Sequence, residues 1–479
     1  MSSLLVPLMH SPAGRGSTTH YPIVDRLSAM ASTEKEPLVA FRRDLYATFR
    51  SWGDAFFELT DAVLCASGPV TSLPQLSIEP EFRRSHGSLY RSLAKGAIDA
   101  DALRSLLVAN RPVKWPAVFA VDASTVERCD AECSPERGFY YSASKHSAGQ
   151  PIVAGWHYQW ICQLSWAPDS WTAPVDICRI PPAEDPTTAT VTQLRRLVAL
   201  LPPDGEVPMF VLDAGYDPIG ISHDLATERC EVVCRIRDDR VFHTDAPARA
   251  NRPPETGGRP PRHGRRWKCS DPETWPEPDA NLVTSDPRYG RLTVTAWHDM
   301  HPRLSGRGHW AGFARPPIVR GSVIRVEVEH LPKPTSRAKK TLWLWWSGSG
   351  KPELGRCVRA YLRRFDIEHT FRFAKQTLGW TTPKVQTPEQ ADRWSFIVAA
   401  VLTELRLARG LVGDLRLPWE KPQDPARLTP ARVRRGFRRL RATLGTPASP
   451  PKSKTPGPGR PKGTRKPPKT RYPAIKKAA

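Results

Sequence analysis

Two short apolar runs in this chain end in the same way. VFAV, residues 118–121, runs straight into Asp122, and MFVL, residues 209–212, runs straight into Asp213. An acid left half-buried at the end of a hydrophobic strand is costly unless it is paired, hydrogen-bonded or bound to a metal. The helix-patterned stretch ATVTQLRRLVALL lies between the two runs. Strands joined through such a crossover can lie parallel and adjacent. That arrangement would set both acids side by side at one carboxyl edge, where α/β sheets bind their ligands. Two such carboxylates repel, so a divalent cation is their natural partner. Taken singly, each Asp also reads as a turn or cap residue; the repetition at matching strand ends favours the site.

The surrounding texture divides the chain. Residues 1–110 are patterned as helices, as in LVAFRRDLYATFRSWGDAFFELTDAVLC, where apolar residues recur at three and four with basic residues between them. This predicts a helical N-terminal domain that binds DNA, with a packing subdomain of solvated basic face as the alternative. From Trp115 short apolar runs take over, and WPAVFAVDAST, RGFYYSAS, IVAGWHYQWICQLSW, VPMFVLDAGYD and CEVVCRIR read as strands. The expected fold class is α/β with mixed strand directions. Residues 111–243 and 351–420 are expected to form two parts of one core. Between them, 244–350 reads as a β-rich insertion whose first part, 244–280, is a Pro/Arg-rich loop. RWSFIVAAVLTELRLARGLV is expected to pack as a helix on the sheet. Residues 421–479 read as a basic, Pro-rich, disordered tail; from Pro451 onward it holds ten Lys or Arg and no acid. Within it PGRPKG resembles an AT-hook core, with Arg460 as the minor-groove residue, beside the plainer reading of a phosphate-attracting tail.

The formal net charge of +23 points to a polyanionic partner, with nucleic acid first, because neutralising phosphates releases counterions. An anionic membrane surface is the competing reading, but no window approaches the ~20 apolar residues of a spanning helix. SLLVPLM at the N-terminus is short, interrupted by Pro7 and without a basic leader, so no export signal is expected and the chain reads as cytoplasmic. Nine cysteines in such a chain suggest reduced thiols. Cys129/Cys133 and Cys230/Cys234 have three residues between partners and no His pair at finger spacing, so a structural zinc is not expected there.

The third acid must come from elsewhere. YLRRFDIEHTFRFAKQTLGW, residues 361–380, carries Asp366 and Glu368 in what reads as one helix. At ~100° per residue, with Tyr361 at zero, Arg364 falls near about −60°, Glu368 near about −20° and Lys375 near about −40°, whereas Asp366 points to roughly 140°. Glu368 therefore shares a stripe with Tyr361, Arg364 and Lys375, and Asp366 is left as a structural or solvated residue. The plainer reading, an Arg364/Glu368 surface pair, would be worth only ~0.2–0.5 kcal/mol.

These residues carry a family resemblance. Tyr361, Arg364, Glu368 and Lys375 at this spacing, with Asp122 in VDAST and Asp213 in VLDAGYD upstream, resemble the YREK-signature group of bacterial insertion-sequence DDE transposases over about residues 115–400. The resemblance implies an RNase H-like catalytic core with a β-rich insertion before the Glu helix. It implies that Asp122, Asp213 and Glu368 are catalytic and hold two Mg2+ ions, with Mn2+ able to substitute, for cleavage and strand transfer of double-stranded transposon ends into target DNA. Arg364 and Lys375 would contact the flanking phosphates and Tyr361 a terminal phosphate. A homodimer in a synaptic complex is implied too. Hairpin formation in this group uses a flipped base stacked on an aromatic residue, for which LWLWWSG offers Trp345 or Trp346, with Trp343 and Trp345 on one strand face and Trp346 on the other. Lys145 and His146 read as turn residues. The alternatives are a catalytically idle, transposase-derived DNA-binding protein and a related RNase H-fold nuclease.

Overall fold

The computed structural model describes residues 22–142, 151–247, 261–332, 339–452, 461, 463 and 467–476, with side chains described from residue 34. The chain opens with α1 (Pro22–Thr48), β1 (Phe49–Ser51), α2 (Gly53–Cys65), α3 (Leu73–Leu76), α4 (His86–Lys95), β2 (Ala97–Ile98) and α5 (Ala100–Ala109). Strands β3 (Val118–Glu127), β4 (Gly138–Tyr141), β5 (Ile152–Leu164) and β6 (Thr172–Ile180) follow, then α6 (Pro186–Leu200), β7 (Met209–Leu212), α7 (Pro218–Asp224) and β8 (Glu231–Ile236). After β9 (Val241–Asp245) and β10 (His263–Lys268) come β11 (Ala280–Asp286), β12 (Gly290–Met300), β13 (Gly321–Val328) and β14 (Thr341–Ser347). Four helices end the order: α8 (Leu354–Arg363), α9 (Asp366–Gln376), α10 (Pro388–Leu407) and α11 (Pro430–Arg441).

A ten-stranded mixed sheet organises the molecule, in the order β11-β12-β13-β14-β8-β7-β3-β5, with β4 and β6 both on the far edge of β5. Strands β3, β7 and β8 run parallel, and their outer neighbours β5 and β14 are antiparallel to them. Side chains alternate between the faces of a strand, so a run that is apolar at every position must be covered on both sides. That is the situation of the first four residues of β3, which then continues past the expected strand end at Asp122 to Glu127. Val118 and Ala120 enter the core shared with α9, α10 and the N-terminal helices, while Phe119 and Val121 enter a second core under α6 and α7. The same division holds for Met209 and Val211 against Phe210 and Leu212 on β7.

The strands anticipated from sequence between residues 115 and 240 are present, and β6 is an addition that the pattern did not separate from β5. The residues between 280 and 347 are β-rich as expected. Rather than standing apart from the core, β11–β14 continue the main sheet through the β14/β8 pairing. The expected single helix over 361–380 is instead two helices that meet at Arg364 and Phe365.

The two ends of the chain share one core. Leu38, Phe41, Phe56 and Phe57 pack in the same cluster as Ile397, Val401, Val433 and Phe437. Arg42 on α1 is the polar counterpart of this packing. Buried at 3% exposure, it pairs with Asp61 on α2 at 2.8 Å and Glu404 on α10 at 2.5 Å, and Arg441 of α11 reaches Asp61 at 2.7 Å. Burial and the neighbouring Asp61 push the Glu404 carboxyl up to about 7, against the pull of Arg42.

The tail departs from expectation at its start. Residues 430–441 fold as α11, because Val433, Phe437 and Leu440 give it an apolar stripe, and its arginines find internal partners. Arg434 donates to the carbonyl oxygens of Val63 and Gly68, and Arg438 pairs with Glu79 and Glu81. Near the chain end, Tyr472 and Ile475 donate backbone N–H bonds to Glu132 and Arg137, so this piece of the tail lies along the 132–138 segment. Lys145, His146, Arg460 and the 248–260 part of the Pro/Arg-rich loop lie outside the described residues.

Removing one partner of a buried ion network leaves uncompensated charge. Arg42→Ala is therefore expected to cost roughly 3–5 kcal/mol in denaturant unfolding. Replacing Arg42, Asp61, Glu404 and Arg441 together by apolar residues of similar volume should cost far less, and equal losses in the two variants would show that packing rather than charge governs this joint.

Candidate active site

The parallel pairing of β3 with β7 sets the site. Its register matches Val118 with Met209, Phe119 with Phe210 and Ala120 with Val211. Two further steps along both strands place Asp122 opposite Asp213, the side-by-side arrangement that the sequence suggested. On the other side of β7, Leu212 pairs with Cys234 of β8, so the next step sets Asp213 beside Arg235. The Arg235 guanidinium lies 4.0 Å from Asp213.

Helices α8 and α9 bring the remaining groups over this edge. Arg364, 9% exposed at their joint, lies 3.3 Å from Asp122, 3.5 Å from Asp213 and 3.6 Å from Glu368. Tyr361 Oη donates to Asp213 Oδ1 at 3.2 Å. The three acids proposed from sequence thus converge, and the guanidinium of Arg364 is their common neighbour. Charge-assisted N–H···O bonds close to about 2.7–2.9 Å when fully formed. At 3.3–3.6 Å, Arg364 neutralises the group without sealing any one carboxylate. One guanidinium among three carboxylates leaves excess negative charge, and the titration of the groups reflects it. Burial raises Asp122, with Arg364 opposing and Asp213 adding to the rise. Burial likewise raises Glu368, again against Arg364 and with the help of Asp122 and Asp213. Burial disfavours the Arg364 cation, yet Asp122 and Asp213 more than offset that and raise its pKa. Burial, then the charge of Asp213, pushes the Tyr361 phenol up, so it stays a donor.

The oxygen donors fit a hard divalent cation. A second observation agrees with that fit. Tyr216 follows Asp213 closely, its hydroxyl is buried without a hydrogen-bond partner among the described residues, and after burial itself the charge of Asp122 is the largest cause raising it. An orphaned hydroxyl facing surplus carboxylate charge is suited to a hydrated ion.

The joint between α8 and α9 explains how Glu368 and Asp366 part company. Arg364 N donates to both Ala360 O at 3.0 Å and Tyr361 O at 3.1 Å, and Ile367 and Glu368 donate to Arg364 and Phe365 three residues back. This is a tightened turn in which residues i and i+3 nearly eclipse. Arg363 and Asp366 meet there at 2.6 Å. Asp366 is accordingly buried and structural, and the solvated option is excluded; burial, opposed first by Arg363, pushes it up to about 6. Lys375 is half-buried two turns beyond Glu368 on α9.

Trp345 is a correction. It is 0% exposed, its ring stacks on Phe242 at 5.5 Å and its indole N–H donates to Ser222. A fully covered ring cannot receive a base. Trp343 and Trp346 are also buried, on opposite faces as the alternation predicted. An exposed aromatic at the α8/α9 joint is Phe365, 37% exposed and next in sequence to Arg364. It borders a groove in which the Arg288 guanidinium lies 5.7 Å from the Phe365 ring and Arg359 4.6 Å from that of Trp166. Arg235 had one signal in the sequence, a charge following the apolar run Val232–Cys234 of β8; Arg288 and Trp166 come from loops distant in sequence and carried none.

Comparison with known proteins gives three findings. A family model described as DDE superfamily endonuclease matches residues 41–303, a span that contains Asp122 and Asp213 and ends before Glu368. No curated protein matches the chain. Among solved structures, the chain is similar to a piggyBac transposase in a cryo-EM synaptic complex with hairpin DNA, at 13% identity and a TM-score of 0.37, over 83% of this chain and 73% of that one.

Asp366 gives the site's surroundings a pH dependence. With a folded value of about 6 against an ordinary 3.8, the folded state binds more protons between those values, so its contribution to stability is lost as pH rises through about 6. Asp366→Asn is expected to flatten the decline in unfolding free energy between pH 4 and pH 7 by up to about 3 kcal/mol. An unchanged slope would show that Asp366 does not titrate in that window.

Proposed function

The chain belongs to the DDE superfamily endonucleases, and from that premise we propose that it is a DNA transposase that cuts and joins the ends of an insertion sequence. The observation that carries this reading is the convergence of Asp122, Asp213 and Glu368, from three separate elements, on the single guanidinium of Arg364. The Tyr, Arg, Glu and Lys spacing of the YREK group supports its assignment to bacterial insertion-sequence enzymes. The order β6-β5-β3-β7-β8, three antiparallel strands followed by two parallel ones, supports an RNase H-like core.

In this reading Asp122, Asp213 and Glu368 hold Mg2+, for which Mn2+ can substitute. Bound there, the metal supplies activation of an attacking water or 3′-hydroxyl and stabilisation of the leaving oxygen. The protein's own groups do the rest. Arg364, at 3.3–3.6 Å from the acids and sealed to none of them, would present its fork to the phosphate beside the cut. Tyr361 donates its one hydroxyl proton to Asp213 in the free protein and would turn it to a terminal phosphate when DNA is bound. Lys375 follows the strand as a point charge. Phe365 replaces Trp345 as the surface for an unpaired base, with the Arg288 guanidinium over its ring. The partner is double-stranded DNA, both element end and target, with two chains bridging two ends. Among the described residues no helix is long and apolar enough to cross a membrane.

A retained scaffold without chemistry would have no need of three mutually repelling acids, which disfavours the idle DNA-binding alternative. Labelled DNA carrying the element's ends, purified protein and Mg2+ provide the test. Asp122→Asn, Asp213→Asn and Glu368→Gln are each expected to slow cleavage about a thousandfold, roughly 4 kcal/mol of transition-state stabilisation, while band-shift affinity for the end stays near wild type. EDTA should stop cleavage and Mn2+ restore it. Cleavage that survives Glu368→Gln would remove Glu368 from the site, and cleavage in EDTA would remove the metal.

A further inference from the structure

A second constellation lies away from the acids. The loop between β12 and β13 contains a 3-10 turn, Gly308–Trp310, that lies against the last turn of α7. There His223 and Asp224 of α7 meet His309 of the turn, and one ligand atom from each lies within 4.8 Å of the others. Asp224 Oδ1 is 2.8 Å from His223 Nδ1 and 3.4 Å from His309 Nε2. Around a tetrahedral zinc with bonds of about 2.0–2.2 Å, neighbouring ligand atoms stand roughly 3.3–3.5 Å apart. The His309–Asp224 pair already has that spacing, and the His223–Asp224 hydrogen bond must open by only about half an ångström.

An Asp–His contact on a surface is ordinary. A second histidine from a distant segment, converging on the same carboxylate oxygen, is less so, and two features hold it there. A Cβ at Gly220 would lie 3.3 Å from His309 Cδ2, so the absence of a side chain at that position lets the loop approach α7. The ring of Trp310 stands edge-on to both imidazoles, with centroids at 5.2 Å from His223 and 4.7 Å from His309, and limits how either can turn.

We propose that His223, Asp224 and His309 bind one zinc-class divalent cation that pins the β12–β13 loop to α7. Two imidazole nitrogens and one carboxylate oxygen suit zinc, cobalt or nickel, whereas Mg2+ favours oxygen donors. A water completes the fourth position. The chain therefore carries two metal sites of different hardness, one of oxygen donors at the strand edge and one of mixed donors behind it. Helix α7 begins five residues after Asp213, so the clamp steadies the segment leading away from that strand end. This site is independent of the proposed reaction.

The test uses the full chain, stripped with chelator and dialysed, then titrated with ZnCl2 or CoCl2 in the presence of excess Mg2+, which occupies the oxygen site. Wild type is expected to retain about one zinc per chain after desalting. Its cobalt form should show visible bands of nitrogen and oxygen ligation without sulfur charge transfer, and zinc but not further Mg2+ should raise Tm. His309→Gln and Asp224→Asn should each lose that zinc and the Tm response. Should His309→Gln fail to fold by circular dichroism, Asp224→Asn on the helix still decides. Zinc retained unchanged in Asp224→Asn, thiolate bands in the cobalt spectrum, or no zinc retained by wild type would each overturn the assignment.

Discussion

Three carboxylates that repel one another can be kept together only if something compensates them, and in this fold Arg364 does so. Its position depends on much of the architecture. Strands β3 and β7 must be parallel and in register for Asp122 and Asp213 to be neighbours, which requires both to be buried on both faces, which in turn requires helical layers above and below the sheet. Helices α8 and α9 belong to one of those layers. Arg364 sits where they join, deep enough for the acids to raise its pKa yet too far from each to form a short ion pair. The compensation is incomplete, and the remaining negative charge is what a cation would answer.

The parts of this arrangement that were legible in the sequence are those governed by local periodicity. A run apolar at every position and stopping at Asp announces a central segment buried on both faces, although only β7 ends there, since β3 continues through Asp122 to Glu127. A stripe at helical spacing separated Glu368 from Asp366 without any knowledge of their surroundings. What the sequence did not disclose depends on partners far along the chain. The tightened turn at Arg364 leaves the stripe almost unchanged, because it alters the winding for only a few residues, and so it could not be seen in the pattern. The run LWLWWSG reads equally well as an exposed aromatic platform or a strand buried on both faces. Only the arrival of Phe242 and Ser222 on one side of Trp345 decides for burial. The basic character of α11 suggested an open tail because its acidic partners, Glu79, Glu81 and Asp61, lie more than 350 residues earlier.

That last case changes what the net charge of +23 means. Many of the arginines are structural. Arg42 and Arg441 share Asp61, Arg104 and Arg196 share Asp176, and Arg356 is held by Glu206 and Glu231. Arg434 spends its donors on backbone carbonyls. A guanidinium with five donors and a planar fork serves such buried joints better than an ammonium does, which accounts for Arg rather than Lys at these positions. The charge that remains for a polyanion is therefore not spread evenly. Along α8 a groove holds Arg288, Arg356, Arg359 and Arg363 against as many carboxylates, Glu206, Asp286, Glu353 and Asp366, and there Arg288 lies over Phe365 and Tyr289, and Arg359 over Trp166. In the proposed reading an unpaired strand end would meet a cation and an exposed ring together at Arg288 and Phe365, whereas Arg438 and Arg441 of α11 are already held by Glu79, Glu81 and Asp61.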